Sequence, residues 1–336
     1  MISAHDVRRS AFAAAVTAAH LCSCAREDLT KTARDLFAAC SARTTDVQAA
    51  LDVGDSQRAQ ALGDEAKSLL ARSRAAFEGS GIKTSDVPQD LATYGDILTR
   101  MGDVDLAANV YRRAAERAPQ SPTLWLNLGR ALRATGPKYW EEALVAMRSC
   151  IRLTNDPALV AAAHEDAGDL LLLMNHASLA EQDFREALSF VPNAPRAKIG
   201  LAASLIHRGR VREGMTEIEA LGPLSPESTG IAMEYVSRAV QDFFDAQLYV
   251  PDTAADHLAL AKALVLAGRR GECALAVERA AALDPDNTIA WNLLGSVSRE
   301  AGDIVRARTA FTKSLELDPD QSRTREALDA LNAAAP

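Results

Sequence analysis

A chain of 336 residues is too long for one small core, so it is either several compact domains or one elongated array. A hydrophobic share of 48% with aromatics at only 5% excludes low-complexity disorder and suits closely packed, alanine-rich helices. The net charge of -8 lies wholly beyond residue 87, and no Lys/Arg cluster interleaved with aromatics appears, which excludes a surface that tracks nucleic acid.

The first 87 residues predict helices near 4–23, 27–41, 44–53 and 55–79. Leu29, Leu36, Phe37 and Cys40 line one of them, and Leu62, Ala66, Leu69, Leu70 and Phe77 another, so the region is expected to form an N-terminal helical cap or bundle. Its opening, MISAHDVRRSAFAAAVTAAHLCSC, has two readings. Arg8 and Arg9, an Ala-rich run and Leu-Cys-Ser-Cys fit a lipoprotein signal of residues 1–23 ending at Cys24. Val7, Ala11, Ala14, Ala15, Ala18 and Cys22 instead recur at helical spacing, and Asp6 and His20 are odd members of a signal; an amphipathic helix is the favoured reading. His20, Cys22 and Cys24 are candidates for a metal or redox site, but Cys-x-Cys lacks zinc-finger spacing. Five cysteines, an odd number without a Cys-x-x-Cys pair, suit a reducing compartment, so a cytoplasmic location is favoured over the envelope.

From Pro88 the chain keeps a beat of thirty-four residues. Pro88 to Ser121 carries Tyr94, Gly95, Leu98, Gly102, Ala107, Tyr111, Ala114 and Pro119. The next unit, from Pro122, repeats the slots with Trp125, Leu128, Gly129, Leu132 and Gly136, then runs two residues late after Pro137, through Ala143, Met147 and Cys150. Units follow from Ala161 (Gly168, Ala180, Phe184, Pro192) and Pro195 (Ala202, Gly209, Gly214, Ile218, Pro226). Two more start at Ala254 (Ala261, Gly268, Cys273, Val277, Pro285) and Thr288 (Trp291, Gly295, Gly302, Phe311, Pro319). Leu-Asp-Pro-Asp is thus spelled at 283–286 and again at 317–320 because both copies close a unit.

Each slot has a physical reason. Positions 4, 7, 8 and 11 form one stripe of a first helix, and positions 20, 24 and 27 face it from a second. Small residues at 8, 20 and 27 permit close approach. Glycine at position 15 predicts a left-handed helix stop, and the one unit lacking it has Asn175, the next best residue there. Proline at position 32 ends the second helix.

This pattern resembles the tetratricopeptide repeat, Trp-x2-Leu-Gly-x2-Tyr followed by Ala-x3-Phe and Pro, over about six repeats within residues 88–321. The resemblance implies an all-α, right-handed helical solenoid, with repeats 1–4 at 88–228 and repeats 5 and 6 at 254–321. Residues 229–253 depart from it. They are too few for a helix pair, and Ala232, Tyr235, Val236, Ala239, Val240, Phe243 and Phe244 predict one long amphipathic helix that either bends into two or turns the array. Residues 322–336 read as a solvating C-terminal capping helix.

Family members bind partners on the concave face lined by first helices, at positions 2, 5, 9 and 12 with position 6 beside them. Here those positions supply Asp96, Asn127, Arg130, Arg133, Glu165, Asp166, Asp169, Arg196, Lys262, Asn292 and Arg299. Asn127 stands where relatives commonly clasp a ligand's backbone, while the Lys/Asn set that grips a peptide carboxylate in some relatives is absent. Arg130 and Arg133 beside Glu165, Asp166 and Asp169 predict a groove with a basic and an acidic section. His164-Glu165-Asp166 contains metal-ligand residue types, yet His164 occupies packing position 4 and reads as a structural histidine. Tyr235, Phe243, Phe244 and Tyr249 form a second candidate, an interface for a partner or a second copy. No phosphate loop, nucleophile elbow or helical His-Glu-x-x-His appears, and no cofactor or metal is implied. The expected function is therefore a non-enzymatic scaffold or adaptor for a protein or peptide partner, without nucleic acid and without an integral membrane span. Two alternatives stand beside it: a pilotin-like envelope lipoprotein anchored at Cys24, and an enzyme with its site in the N-terminal helical region.

Overall fold

In the computed structural model the backbone is described for residues 4–82 and 85–333, and side chains from residue 25 onward within those ranges. The described residues form α-helices, short 3-10 turns and no strand. Two compact units are present, residues 1–155 and 156–336.

The first unit holds α1 (Ala4–Asp52), α2 (Ser56–Gly79), α3 (Pro88–Met101), α4 (Val104–Arg117), α5 (Pro122–Thr135) and α6 (Trp140–Leu153). Helix α1 is continuous over 49 residues, where three shorter helices were expected. No Gly or Pro occurs before Gly54, and the threonines at the start of the expected third helix bond back into the turn before them. Thr44 Oγ1 donates to Cys40 O at 3.0 Å and Thr45 Oγ1 to Ser41 O at 3.3 Å, so neither acts as a cap. Gly54, at φ 75°, then stops the helix, and Asp55 caps α2 through the Arg58 amide.

Helices α1 and α2 pair along a seam of small residues at heptad spacing: Ala33 and Cys40 on one, Ala59, Ala66 and Ser73 on the other, all buried. Ser73 Oγ donates to Ala33 O at 2.6 Å, and Arg43 meets Glu65 at 2.9 Å, which fixes the antiparallel register. Helices α3 with α4 and α5 with α6 are the first two repeats. The two-residue lengthening after Gly136 is a 3-10 turn, Pro137–Tyr139, that leads into α6.

The second unit holds α7 (Pro157–Leu173), α8 (Ala177–Phe190), α9 (Pro195–His207), α10 (Val211–Glu219), α11 (Pro226–Asp245), α12 (Ala254–Leu266), α13 (Arg270–Leu283), α14 (Thr288–Glu300), α15 (Ile304–Leu317) and α16 (Ser322–Ala333). Consecutive helices pair as α7 with α8, α9 with α10, α12 with α13 and α14 with α15, and α16 packs on α15. Helix α11 is one uninterrupted helix. It packs on α9 and α12, and α12 also reaches α10, so α11 is an added helix beside the pairs.

The expected helix stops all have positive φ: Gly102, Gly136, Gly209, Gly268 and Gly302 lie between 70° and 117°, and Asn175 at 65°, though Gly136, with ψ -177°, departs from the left-handed helical stop and leads into the 3-10 turn. The close approach at position 8 is equally explicit. A β-carbon on Gly95 would lie 2.8 Å from the Tyr111 ring, on Gly168 2.8 Å from Phe184, and on Gly295 2.5 Å from Phe311. Where position 24 is the smaller Val277 or Ile218, position 8 is Ala261 or Ala202. The pair of positions is filled by matched volumes, as dense packing requires.

Trp291 is only half-buried, although its position predicts a core aromatic. Its indole N–H donates to Pro285 O at 2.8 Å, and Trp125 does the same to Pro119 O at 2.9 Å. These tryptophans staple the turn between repeats, with the ring edge left in water.

Candidate functional site

In the first unit, α3 and α5 present the expected stripe. Asp96 is half-buried and accepts a hydrogen bond from the Tyr111 hydroxyl. Burial raises the Asp96 carboxyl above its ordinary value, and burial with the neighbouring carboxylate also pushes the Tyr111 hydroxyl upward. Asp96 is thus tied to the packing of its own repeat. On α5, Arg130 is exposed, and Asn127 and Arg133 are half-buried. Positions 6, 9 and 12 of this helix therefore offer one amide and two guanidinium side chains along a single face.

The corresponding stripe of the second unit is covered. Asp166 and Asp169 on α7 are 1% and 4% exposed, and both accept from Arg196 of α9, Asp166 at 3.3 Å. Tyr235, from α11, completes the cluster beside Asp169 and Arg196. Burial, then the Asp169 charge, raises the Tyr235 hydroxyl above its ordinary value. For Arg196, burial opposes the charged form, but the two carboxylates outweigh it and hold the guanidinium more firmly protonated than usual. Arg196 pairs with both Asp166 and Asp169 inside the fold, so the acidic section expected of the groove is not an open surface. Glu165, one position earlier, is half-buried.

The remaining predicted residues divide in the same way. Lys262 donates to Glu219 at 2.6 Å, which ties α12 to α10. Asn292 donates to Gln321 and accepts from Thr324 Oγ1 at 2.8 Å, so it anchors α16. Arg299 is exposed. His164 is buried and pairs through Nδ1 with Asp183 at 2.7 Å, a structural arrangement that also supplies the buried Asp183 with a partner. Among the described residues no group of three His, Cys, Asp or Glu side chains is placed to hold a metal. The side chains of His20, Cys22 and Cys24 lie outside the described residues.

The aromatic group near α11 faces mostly inward. Phe243 is 1% exposed and meets Phe244 edge-on at 5.2 Å, and Arg269 stacks over Phe244 at 4.4 Å. Tyr235 is engaged as above; Tyr249 is exposed.

What the sequence reading missed is why α11 exists, and the signal was present. In the repeat from Pro195, position 9 is Ala203, where the sister repeats have Asp96, Arg130, Asp169, Lys262 and Ser296, and positions 5 and 12 are the apolar Ile199 and Ile206. All three are at most 1% exposed, and Ala203 and Ile206 share a core with Val236, Ala239, Val240 and Phe243 of α11. An apolar outer stripe on a repeat helix is a request for a covering element.

The sequence profile of the tetratricopeptide repeat matches residues 88–131, and a second profile of the same description matches residues 258–322. No curated protein sequence matches the chain. Among solved structures, the chain is similar to a tetratricopeptide repeat protein from Parabacteroides merdae ATCC 43184, at 15% identity and a TM-score of 0.41, over 90% of this chain and 99% of that one. It is also similar to Pseudomonas aeruginosa pilF, at 16% identity and a TM-score of 0.38, over 78% and 99% of the two chains. YrrB, described as a TPR protein with an unusual peptide-binding site, matches at 17% identity and a TM-score of 0.31, over 66% and 99%. All three scores are below 0.5, so the assignment rests on the two matched stretches and on the six positive-φ stops in register. On that basis the chain carries tetratricopeptide repeats, matched at residues 88–131 and 258–322.

Proposed function

We propose that the protein is a non-catalytic scaffold that holds an acidic, extended or helical peptide segment of a partner protein against the α5 face. Repeats of this family serve in general as protein-interaction scaffolds. The observation that carries the finer reading is the exposure of Arg130 beside the half-buried Asn127 and Arg133 on one face, set against the internal neutralisation of the matching stripe on α7. Two guanidinium groups one helical turn apart favour carboxylates, which they bind with planar, charge-assisted hydrogen bonds. Asn127 adds a donor and an acceptor suited to a peptide backbone.

The test is an array of acidic, neutral and basic peptides probed with the full-length protein at low and high salt. Acidic peptides should be retained and lost as salt rises. The double variant Arg130→Glu, Arg133→Glu should lose them while keeping its helicity; unchanged retention would remove α5 from the account. The same reading places the protein in the cytoplasm, where the singly buried Cys40, Cys150 and Cys273 stay reduced. An intact-mass measurement on native material checks this, because the envelope alternative requires loss of residues 1–23 and acylation of Cys24.

A further inference from the structure

The third position of a repeat is aspartate twice, at Asp90 and Asp256, and the two carboxylates are equipped differently. Asp256, 6% exposed, receives the hydroxyl of its own N-cap residue Thr253 and lies 3.4 Å from Arg212. Asp90 is similarly buried at 8% and lies 3.5 Å from Arg34, so the arginine is matched. The hydroxyl is not. Valine, Val87, stands at the N-cap, with no side-chain cap hydrogen bond, and Asp90 Oδ1, the oxygen that faces Arg34 Nε at 3.5 Å, is buried with no donor in hydrogen-bond geometry. A buried carboxylate oxygen left in this state costs stability and calls for an external donor.

A cavity of about 270 Å³ opens at this point. Helix α1 contributes Arg26, Glu27, Thr30 and Arg34 to its wall, and Ile82 and Val87 add apolar surface beside Asp90. The volume falls below the ~300–1,000 Å³ of drug-sized pockets, so the occupant is small. Its chemistry follows from the lining. A cationic donor answers the acid, an anion answers Arg26, Arg34 and the uncapped start of α3, and the two must sit within a few ångströms of each other.

We propose that this cavity binds a free α-amino acid with an aliphatic side chain. The ammonium group donates to Asp90, as the Thr253 hydroxyl does to Asp256. The carboxylate accepts from Arg34 and Arg26, and the side chain lies on Ile82 and Val87. Glu27 at the rim disfavours a purely anionic ligand.

Ligand-observed NMR on the full-length protein, with each of the twenty amino acids and with N-acetylvaline and valinamide as half-ligands, tests this. Aliphatic amino acids should bind, and each half-ligand at least about tenfold more weakly, since each forfeits one charge-assisted pairing. Val87→Thr supplies the missing hydroxyl from within; it should raise the melting temperature and still weaken valine binding about tenfold or more. Arg34→Gln removes the charge that faces both Asp90 and the ligand carboxylate; it should lower the melting temperature and, with helicity retained at the assay temperature, weaken valine about tenfold or more. Failure of all twenty amino acids to bind at millimolar concentration, or valine binding that Val87→Thr and Arg34→Gln leave unchanged, overturns the proposal.

Discussion

Helices α5 and α7 open successive repeats, and both carry charge on the stripe where this family meets its partners. On α5 that charge, Arg130 and Arg133, reaches solvent or its edge; on α7 two of three acids, Asp166 and Asp169, are consumed by Arg196 under Tyr235. The difference comes from α9 and α11. Arg196 of α9 pairs with both acids, and the apolar face of α11, in covering Ala203 and Ile206, brings Tyr235 beside them. A charged residue at a groove position is therefore open to solvent only where no neighbouring helix pairs with it or lies over it.

The largest expected effect tests the packing common to the repeats. Phe184 is fully buried and is the ring against which Gly168 and Gly200 are fitted. Phe184→Ala should cost ~3–5 kcal/mol in denaturant unfolding. A loss below about 1 kcal/mol would mean that the glycine-to-aromatic match is not what holds the pairs together.

The contrast between the stripes is next. Arg196→Ala strands two buried carboxylates and should cost ~3 kcal/mol, the low end for a broken buried pair because Arg196 keeps 36% of its side-chain surface. Arg130→Ala should change stability by less than about 0.5 kcal/mol, as a surface substitution does. Equal costs at the two sites would erase the distinction.

A pH experiment sharpens it further. Burial works to raise the Glu181 carboxyl, but Arg185, Arg208 and Arg210 outweigh burial and hold it below its ordinary value. Its contribution is therefore present above the usual glutamate range and lost as pH falls through the lowered folded value. Glu181→Gln should flatten the acid limb of the stability curve; a limb identical to wild type would show that the three arginines do not act through this carboxylate.

A smaller effect is expected at Trp291. Because its ring edge is solvated and its indole donates to Pro285, Trp291→Phe should cost about 1 kcal/mol, the value of one hydrogen bond. A cost several times larger would restore the buried-core reading that its repeat position suggests.

Much of this architecture was legible in the residues. The left-handed stop at Asn175, the delayed turn after Gly136 and the structural role of His164 follow from position alone, because local backbone preference and helical spacing act within one repeat. The continuous α1 was not legible. Thr44 and Thr45 resemble breakers until their hydroxyls are seen bonding to Cys40 and Ser41. Nor was the burial of Asp166 and Asp169, since the ligand that neutralises them, Arg196, was itself counted as a groove residue, and Tyr235 arrives from a helix 66 residues beyond Asp169 in the chain. Non-local pairing of this kind leaves no mark on spacing.

The most direct test of the central claim places a photo-crosslinking amino acid at the exposed position 123 on α5, leaving Arg130 and Arg133 intact, and, separately, at the exposed position 233 on α11, in the native cell. The account predicts a protein adduct from position 123, lost when Arg130 and Arg133 are changed to Glu, and none from position 233. Adducts from position 233 with silence at 123 would contradict it.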